Sequence, residues 1–415
     1  MAPLKVSLKR HLFQIQFEIH NLTERHYYRI MVVIINLEPA QLRTRFGRAA
    51  LDYLHRWDIP VAWGEKATTK NRSVRFSQFD CDFVSGNIFF TPYGQPKSDL
   101  TDPAEIESGI SFLDRLVKGI VETPDSQPKT PKPQEKLTYL LISSLTDIWK
   151  FAKLQPRNFV KATSRIVLQG GYTVEHDPSN SSYALIADSF ANNNGGFDMD
   201  SANEFHEFIC RNNIPSIVFT KVAATASALS TNVLEDLAFT GHILGKYIYK
   251  YHVALSREYY EASGDEKTRF RPHMDQKWFL RTRTNWFLSH TEHEPYPTST
   301  EVLQYVQVTP YDPLAGLEVA GPDLRDALKI LKPFKDQTIH KVVGKRAPNP
   351  EMNDPGDPGI NSKETKLVLV ALWKGSLMAT CPIILDYSSS ERPTSAQRID
   401  GGDMAESSTI FNVGG

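Results

Sequence analysis

The chain has 415 residues, of which 40% are hydrophobic and 11% aromatic, a composition typical of a folded protein rather than a disordered one. A formal net charge of −1 gives no overall attraction to nucleic acid or to an anionic membrane, so we expect neither as a partner. The three cysteines, Cys81, Cys210 and Cys381, lie far apart and lack metal-ligand spacing, which favours reduced thiols in a cytoplasmic protein.

The N-terminal third predicts alternating strands and helices after a divergent segment of residues 1–29. The run IMVVIINL (30–37) is rich in β-branched residues, as buried strands are, and is far shorter than the ~20 residues of a membrane span. Apolar residues at helical spacing follow at 40–57, and DIPVAWG (58–64) predicts a second strand. Residues 101–122 begin with Thr, Asp and Pro, which predicts a helix capped by the Thr–Asp pair.

The central part of the chain continues the alternation. Its predicted elements are the strands 137–143, 164–171 and 214–221 and the helices 145–155 and 200–213. Because each strand is a nearly continuous apolar run, we expect parallel βαβ units with both sheet faces covered. The predicted fold class is α/β, with a Rossmann-like, mostly parallel central sheet and helices on both faces. Ligands in such sheets bind beyond the carboxyl ends of the strands.

The C-terminal part predicts a loop, a pair of strands and a tail. Residues 345–364 are rich in Pro, Gly and Asn, whereas TKLVLVALW (365–373) and SLMATCPIILDY (376–387) are apolar runs typical of strands. We therefore expect four parts: a divergent segment at 1–29, an α/β domain at 30–340, a C-terminal extension at 341–390 and a disordered tail at 391–415.

Three consecutive asparagines, residues 192–194, lie between the predicted strand 164–171 and the predicted helix 200–213. Asparagine tolerates positive φ and bonds its own backbone, so turn formation is one interpretation. The other is that these amides face sugar hydroxyls, because they follow a strand at the ligand-binding edge of a parallel sheet. The sequence leaves both interpretations open.

Two further segments carry residue types suited to ions. Asp312, in TPYDPLAGLEV (309–319), precedes a helical stretch, so it is either an N-cap residue or a carboxylate ligand of a hard metal ion. The turn in LLISSLTDIWKF (140–151) joins a strand to a helix, so its backbone groups suit an ion. The alternative is an ordinary loop in which Ser144 or Thr146 caps the helix.

In chain order, these segments resemble the inosine-uridine-preferring nucleoside hydrolase family, in a divergent fungal-type branch. The matching segments are IINLEPAQLRTRFGRAALDYL, DIPVAWGEK, LLISSLTDIWKF, RIVLQGGY, ANNNGGFDMDSA and PYDPLAG. The resemblance implies an N-ribosyl hydrolase fold with one bound Ca²⁺, which holds the ribose 2′- and 3′-hydroxyls and an attacking water. The implied partner is a nucleoside or another ribose-containing ligand, and the implied assembly is a homo-oligomer.

The resemblance also assigns roles to individual residues. Asp312 corresponds to a calcium carboxylate, and Ile142 stands at the position whose backbone carbonyl binds the same ion. Asn36 and Asn194 match family asparagines near the ribose. Asn192 stands where the family has Glu, and its amide holds a hydroxyl without carrying charge. The implied site is a sugar clamp of amides beside a calcium ion.

The chain departs from the family at its first strand, which in the family ends in an Asp-rich DxDxxxDD loop that supplies the catalytic base. The corresponding segment here, residues 12–28, offers Glu18 and Glu24 but no Asp, so the catalytic residues are left unassigned. Hydrolysis of an N-ribosyl bond is the first hypothesis. The second is a non-catalytic pseudoenzyme that keeps the ribose cleft, and the third is a truncated reading of a complete hydrolase.

Overall fold

The described part of the chain forms two compact units. The computed structural model describes residues 30–36, 40–65, 106–122, 136–177, 182–187, 198–269, 272–319, 322–334, 338–345 and 356–380. The first unit is drawn from Met1–Leu229 and Thr309–Ser376, and the second from Ser230–Val308 and Leu377–Gly415. The domain boundaries expected from the sequence stay predictions.

Strands and helices alternate through most of the described residues. The strands are β1 (Val33–Ile35), β2 (Val61–Trp63), β3 (Leu137–Leu141), β4 (Thr163–Gln169), β5 (Tyr172–Asp177), β6 (Ser182–Ala187), β7 (Ser216–Phe219), β8 (Leu229–Ser230), β9 (Gln307–Val308) and β10 (His340–Val343). The α-helices are α1 (Ala40–Tyr53), α2 (Gly109–Glu122), α3 (Thr146–Leu154), α4 (Pro156–Ala162), α5 (Met199–Arg211), α6 (Lys221–Ala226), α7 (Asn232–Ala238), α8 (Ile243–Gly264), α9 (Gln276–Arg283), α10 (Tyr311–Val319), α11 (Pro322–Ala327) and α12 (Ser362–Thr380). Two 3₁₀ helices span Trp286–Leu288 and Glu301–Tyr305.

The first unit is built on a parallel sheet of four strands in the order β10–β7–β4–β3. Side chains along each strand alternate between the two faces. Ile166 and Leu168 of β4 and Val218 of β7 pack in the cluster that contains the apolar residues of α2 to α5. Val167 and Ile217 point to the other face, where α6 and α10 cover them. The predicted α/β class, a parallel sheet with helices on both faces, is confirmed.

Strands β1 and β2 form a separate parallel pair in which Val33 lies opposite Val61. Beyond these strands, the Gly64 amide donates a hydrogen bond to the Ile35 carbonyl at 2.8 Å, which lengthens the parallel pairing by one bond. Helix α2 begins directly against β1, because a Cβ atom at Gly109 would lie only 2.6 Å from Cγ2 of Ile34. Glycine therefore permits the close contact that holds α2 to this strand pair.

Two predictions about helices are corrected. The helix predicted for 101–122 begins only at Gly109, since the described residues 106–108 are not helical. Ser108 receives a hydrogen bond from the Ser111 amide at 3.2 Å and so takes the place of the predicted Thr–Asp cap. The cap residues Thr101 and Asp102 lie outside the described residues.

The strand pair predicted within 365–387 is wrong for its described part, which is the single helix α12. Residues at helical spacing, Thr365, Val368, Leu369 and Leu377, are buried, which defines one apolar stripe. The periodicity of a run of Leu, Val and Ala does not distinguish a strand from a helix. The length of the run, however, favours a helix. Residues 381–387 and the predicted tail lie outside the described residues.

The second unit is helical. Its described core packs six residues together: Tyr260, Phe279, Leu280, Trp286, Val302 and Val306. The Arg- and Trp-rich segment that includes α9 contributes to this core through Phe279 and Leu280. In the described part of the chain, no helix has the length and apolar character that crossing a membrane requires. Cys210, on α5, is a free thiol.

Candidate functional site

The carboxyl ends of β1 and β3 meet at the buried side chain of Asn36. Its Nδ2 donates to the Ser144 carbonyl at 2.9 Å and to Oδ2 of Asp147 at 2.7 Å. Its Oδ1 accepts a hydrogen bond from the Ser143 hydroxyl at 2.7 Å. Both amide hydrogens of Asn36 are therefore used inside the protein, and among the described residues only Ser143 donates to its Oδ1. Its predicted contact with ribose stays a prediction.

Asp147, in the first turn of α3, adds the end of β2 to this arrangement. Its Oδ1 accepts from the Glu65 amide at 2.7 Å, while its Oδ2 accepts from Asn36. Burial raises the pKa of the Asp147 carboxyl, and the hydrogen bonds from Glu65 and Asn36 oppose that rise. We refer to the contact between Asn36 and Asp147 as the Asn36–Asp147 bridge. It fixes the carboxyl ends of three strands relative to one another.

A second chain of hydrogen bonds connects the β3–α3 loop to helix α5. The hydroxyls of Ser144 and Thr146 lie 2.7 Å apart, and Thr146 donates to Oδ2 of Asp198 at 2.7 Å. Asp198 caps α5 by accepting from the Ser201 amide at 3.1 Å. Asp198 directly follows residues 188–197 in the sequence, and these bonds hold Asp198 beside the β3–α3 loop at the carboxyl edge of the sheet.

The two predicted residues Asn192 and Asn194 lie within 188–197, outside the described residues, so their roles stay predictions. Ile142 follows β3 directly, in the loop that also carries Ser143 and Ser144, and its side chain is 37% exposed. The sequence position of Ile142 therefore puts its carbonyl at the carboxyl edge of the sheet. Its role as a metal ligand stays a prediction.

Asp312 lies in the first turn of α10. At the other end of this helix, Glu318 accepts a hydrogen bond at 2.9 Å from Arg165, which is near the beginning of β4. The helix therefore runs antiparallel to β4, and its first turn lies toward the carboxyl edge of the sheet. Tyr311 packs in the same apolar cluster as Leu140, near the end of β3. Asp312 thus lies at the edge where parallel sheets bind ligands.

The electrostatic environment of Asp312 is unfavourable for its charge. Desolvation raises the pKa of its carboxyl to about 6. The side chain is nevertheless exposed. The raised pKa and the exposure agree if the carboxylate lies in a recess that opens to water. The surrounding protein atoms then remove part of its hydration, while water in the recess screens part of the resulting pKa shift. No hydrogen bond or ion pair joins this carboxylate to another described residue. Asp312 is therefore a candidate for contact with a ligand.

The described residues do not by themselves fit a calcium ion. Ca²⁺ takes about 6 to 8 oxygen ligands, of which Asp312 and the Ile142 carbonyl would give two or three. Among the residues that the structure describes, no three His, Cys, Asp or Glu side chains come together as a group suited to a metal. The calcium ion stays a prediction from the resemblance, and no chemical step is derived through it.

The sequence patterns missed Asp147 and Asp198, the two acidic residues that organise the carboxyl edge. In the sequence, nothing distinguishes Asp147 from other acidic residues in the first turn of a helix, because its partner Asn36 is 111 positions away. Asp198 carries a recognisable signal, because an Asp three residues before Ser201 at the start of a helix is a common N-cap pattern.

No protein-family model matches the chain, and no curated protein matches it either. Solved structures do share its fold. The type III effector protein XopQ, in complex with adenosine diphosphate ribose, has a TM-score of 0.64 at 17% identity, covering 91% of this chain and 100% of its own. The effector protein XOO4466 has a TM-score of 0.62 at 18% identity, covering 91% of this chain and 99% of its own. A purine-preferring ribonucleoside hydrolase from Gardnerella vaginalis reaches 0.43 at 16% identity, covering 82% and 87%.

At these identities the two effector structures establish a shared fold and nothing further. Nucleoside hydrolases are also among the structures that resemble this chain, at a TM-score too low to carry an argument. The class that the fold and the described residues define is an α/β protein with a polar carboxyl edge that carries the poorly solvated carboxylate of Asp312. The fungal-type branch stays a prediction.

Proposed function

We propose that this chain binds the ribose of a nucleoside or nucleotide at the carboxyl edge of its sheet, and that its reaction is hydrolysis of the N-ribosyl bond. The observation that carries the proposal is Asp312, a carboxylate at the ligand-binding edge that is desolvated and has no partner among the described residues. Vicinal ribose hydroxyls would donate to this carboxylate and so supply hydrogen bonds that no described residue gives it.

The polar edge around Asp312 supports a sugar ligand. The Asn36–Asp147 bridge holds the ends of β1, β2 and β3 in place, and Asp198, which Thr146 holds at the same edge, follows Asn192 and Asn194 closely in the sequence. Fixed strand ends favour binding, because less conformational entropy is lost when the groups that contact the ligand are already ordered. In this proposal Asn36, Asn192 and Asn194 contact the sugar, and the bridge positions Asn36.

In the hydrolytic reaction, water attacks C1′ of the ribose while the bond from C1′ to the base nitrogen breaks. A new C1′–O bond replaces the C1′–N bond, one proton leaves the water, and the departing base takes up a proton. Asp312 would accept the water proton. Its pKa of about 6 leaves it ionised at neutral pH yet basic enough for this role.

The second candidate function is ligand binding without turnover. One observation favours it: the described residues gather no group of acidic side chains beside Asp312 that would activate water with a metal ion. The fold is also shared with effector proteins, one of them in complex with adenosine diphosphate ribose. Under this candidate, the frame and Asp312 hold a ribose-containing ligand that is not cleaved.

Calorimetric titration and a product assay separate these functions. We would titrate the protein with ADP-ribose and with inosine, each with and without Ca²⁺, and measure release of the free base or of ribose by chromatography. Binding with turnover supports the hydrolase, and binding without turnover supports the second candidate. Absence of binding to both ligands would contradict the proposal as a whole.

Asp312→Asn is the decisive variant in the same titration. The loss of a charge-assisted hydrogen bond should weaken binding by about 1.5–3 kcal/mol, which is roughly tenfold to a hundredfold. Asp326→Asn is the matched control, because Asp326 is 70% exposed and pairs with Arg325 on the neighbouring helix α11. If both variants bind as the wild type does, Asp312 does not contact the ligand.

A further inference from the structure

Arg283, the last residue of α9, is a half-buried arginine whose guanidinium forms no hydrogen bond or ion pair with a described residue. The other buried or half-buried arginines whose side chains the structure describes all donate to a carboxylate or to a backbone carbonyl: Arg48, Arg165, Arg269 and Arg325. Taking a guanidinium partly out of water costs free energy unless a partner replaces the lost hydration. The donors of Arg283 are therefore available to a ligand.

Two aromatic rings hold this guanidinium in place. Its Cζ atom lies 5.9 Å from the centre of the Tyr259 ring and 5.8 Å from the centre of the Trp278 ring, and the two ring centres are 6.1 Å apart. The three points form a nearly equilateral triangle, so both rings lie on the same side of the guanidinium and do not enclose it. Cation–π contacts orient the group without neutralising its charge. The guanidinium is thus oriented but keeps its charge and its donors.

The end of helix α9 does not account for the position of Arg283. A cation near the carboxyl end of a helix is favourable, and an arginine there can bond the last carbonyls. In this helix, however, the hydroxyls of Thr282 and Thr284 donate to the carbonyls of Trp278 and Leu280 at 2.7 and 2.5 Å. The Arg283 guanidinium donates to no described carbonyl of the helix, so it does not cap it.

His252 is a neutral neighbour of the guanidinium. It lies seven residues before Tyr259 on α8, and this spacing puts both side chains on one face of the helix. Burial, and to a lesser extent the charge of Arg283, lowers the pKa of His252 to about 4, so its ring is neutral at physiological pH. His252 therefore lies close enough to feel the charge of Arg283 but does not act as its counter-ion.

We propose that Arg283 and the rings of Tyr259 and Trp278 form a binding site for the carboxylate or phosphate group of a small molecule. A planar guanidinium presents two parallel N–H donors to such an oxyanion, and this bidentate contact is stronger than a bond between neutral groups. The half-buried rings beside it suit an apolar part of the same ligand. The proposal does not rest on the ribose site, because Arg283 belongs to the second unit and Asp312 to the first.

The test is a nuclear magnetic resonance titration of the full chain, isotope-labelled at its tryptophan indoles, with phenyl phosphate and separately with benzoate. We expect at least one of these anions to shift the indole resonance of Trp278, which the variant Trp278→Phe identifies among the six tryptophans. The anion that shifts it at the lower concentration shows whether phosphate or carboxylate is preferred. Benzamide, the neutral isostere of benzoate, should leave the resonance unchanged, and added salt should weaken the effect of the anion.

Arg283→Gln removes the charge and the paired donors, so it should lower the affinity for the anion by about tenfold to a hundredfold. Arg281→Gln is the matched control. Arg281 lies on the same helix, is 54% exposed and already pairs with Glu292, so this variant should bind the anion as the wild type does. Because no described residue depends on a bond from Arg283, Arg283→Gln should melt at the same temperature as the wild type.

A second variant keeps the test valid if Arg283→Gln proves unstable. Arg283→Lys keeps the charge but loses the planar pair of donors, so its affinity should lie between those of the wild type and Arg283→Gln. The proposal is overturned if neither anion shifts the Trp278 resonance, if benzamide shifts it as benzoate does, or if Arg281→Gln loses as much affinity as Arg283→Gln. Binding of ADP-ribose by Asp312 is measured separately and does not decide this test.

Discussion

Asp147 and Asp312 are two carboxylates at the same edge of one sheet, and the protein treats them in opposite ways. Asp147 is buried but receives hydrogen bonds from Asn36 and from the Glu65 amide. Asp312 is exposed, yet it has no partner among the described residues, and desolvation raises its pKa to about 6. A carboxylate whose hydrogen bonds are complete holds the structure together, whereas one without partners weakens the structure and is available to a ligand.

The largest expected effect comes from breaking the Asn36–Asp147 bridge. Asp147→Ala leaves the Asn36 amide and the Glu65 amide without their acceptor in a buried position, and should destabilise the protein by about 3–4 kcal/mol. Urea unfolding measures this change. Asn203→Ala, which alters an exposed asparagine on α5, is the control and should change stability by less than about 0.5 kcal/mol. If Asp147→Ala changes the free energy of unfolding only slightly, the Asn36–Asp147 bridge does not hold the ends of the strands in place.

His206 gives the next largest effect, because it is fully buried and its ring makes no hydrogen bond of ordinary geometry with a described residue. A looser contact with the Gly171 backbone offsets only part of the cost of burying a charged ring. Burial lowers its pKa from 6.5 to about 4. Between these values the unfolded chain binds a proton that the folded chain does not, so stability is lost as the pH falls from about 6.5 to 4. The loss should be about 2–3 kcal/mol for this residue.

The variant His206→Phe removes this titration while keeping an aromatic ring beside Tyr172. Unfolding free energies at pH 7 and pH 4.5 should therefore differ less in His206→Phe than in the wild type. His55→Phe serves as the control, since it makes the same substitution at an exposed histidine in the turn after α1. Equal pH dependence in all three proteins would show that His206 is not held neutral by burial.

The smallest expected effect is that of Asp312, whose contribution to stability changes with pH in the opposite direction to that of His206. The folded pKa of Asp312 lies above its unfolded value, so between about 3.8 and 6 the folded chain binds the extra proton and stability falls as the pH rises. Asp312→Asn should therefore stabilise the free protein above pH 6, by about 1 kcal/mol once solvent screening of this exposed group is taken into account. At pH 4 the gain should disappear. Urea unfolding at pH 7.5 and pH 4 tests both statements.

The sheet was predictable from the sequence because its strands carry a local signal. The runs IVL at 166–168 and IVF at 217–219 are apolar at every position, which is typical of strands buried on both faces, and turns and helices separate them. Helix α12 was not predictable in the same way. Its Leu- and Val-rich run fits either period, so only its length favours a helix, and the packing of Val368 and Leu369 in an apolar cluster is not visible in the sequence.

The site was predictable only in part, since its partners lie far apart in the chain. Asn36 was identified through the resemblance and lies at the predicted edge, as does Asp312. The role of Asp147 depends on a contact across 111 positions, and no local pattern reports such a contact. The pKa of Asp312 likewise follows from the surrounding atoms rather than from neighbouring residues in sequence.

The central claim is that a ligand supplies the hydrogen bonds that no described residue gives to the Asp312 carboxylate. Thermal melting of the wild type and of Asp312→Asn at pH 7.5, each with and without ADP-ribose, tests this claim most directly. We predict that Asp312→Asn melts at a higher temperature than the wild type without ligand, and that ADP-ribose raises the melting temperature of the wild type only. A variant that melts at a lower temperature, or that keeps the full shift with ADP-ribose, would contradict the account.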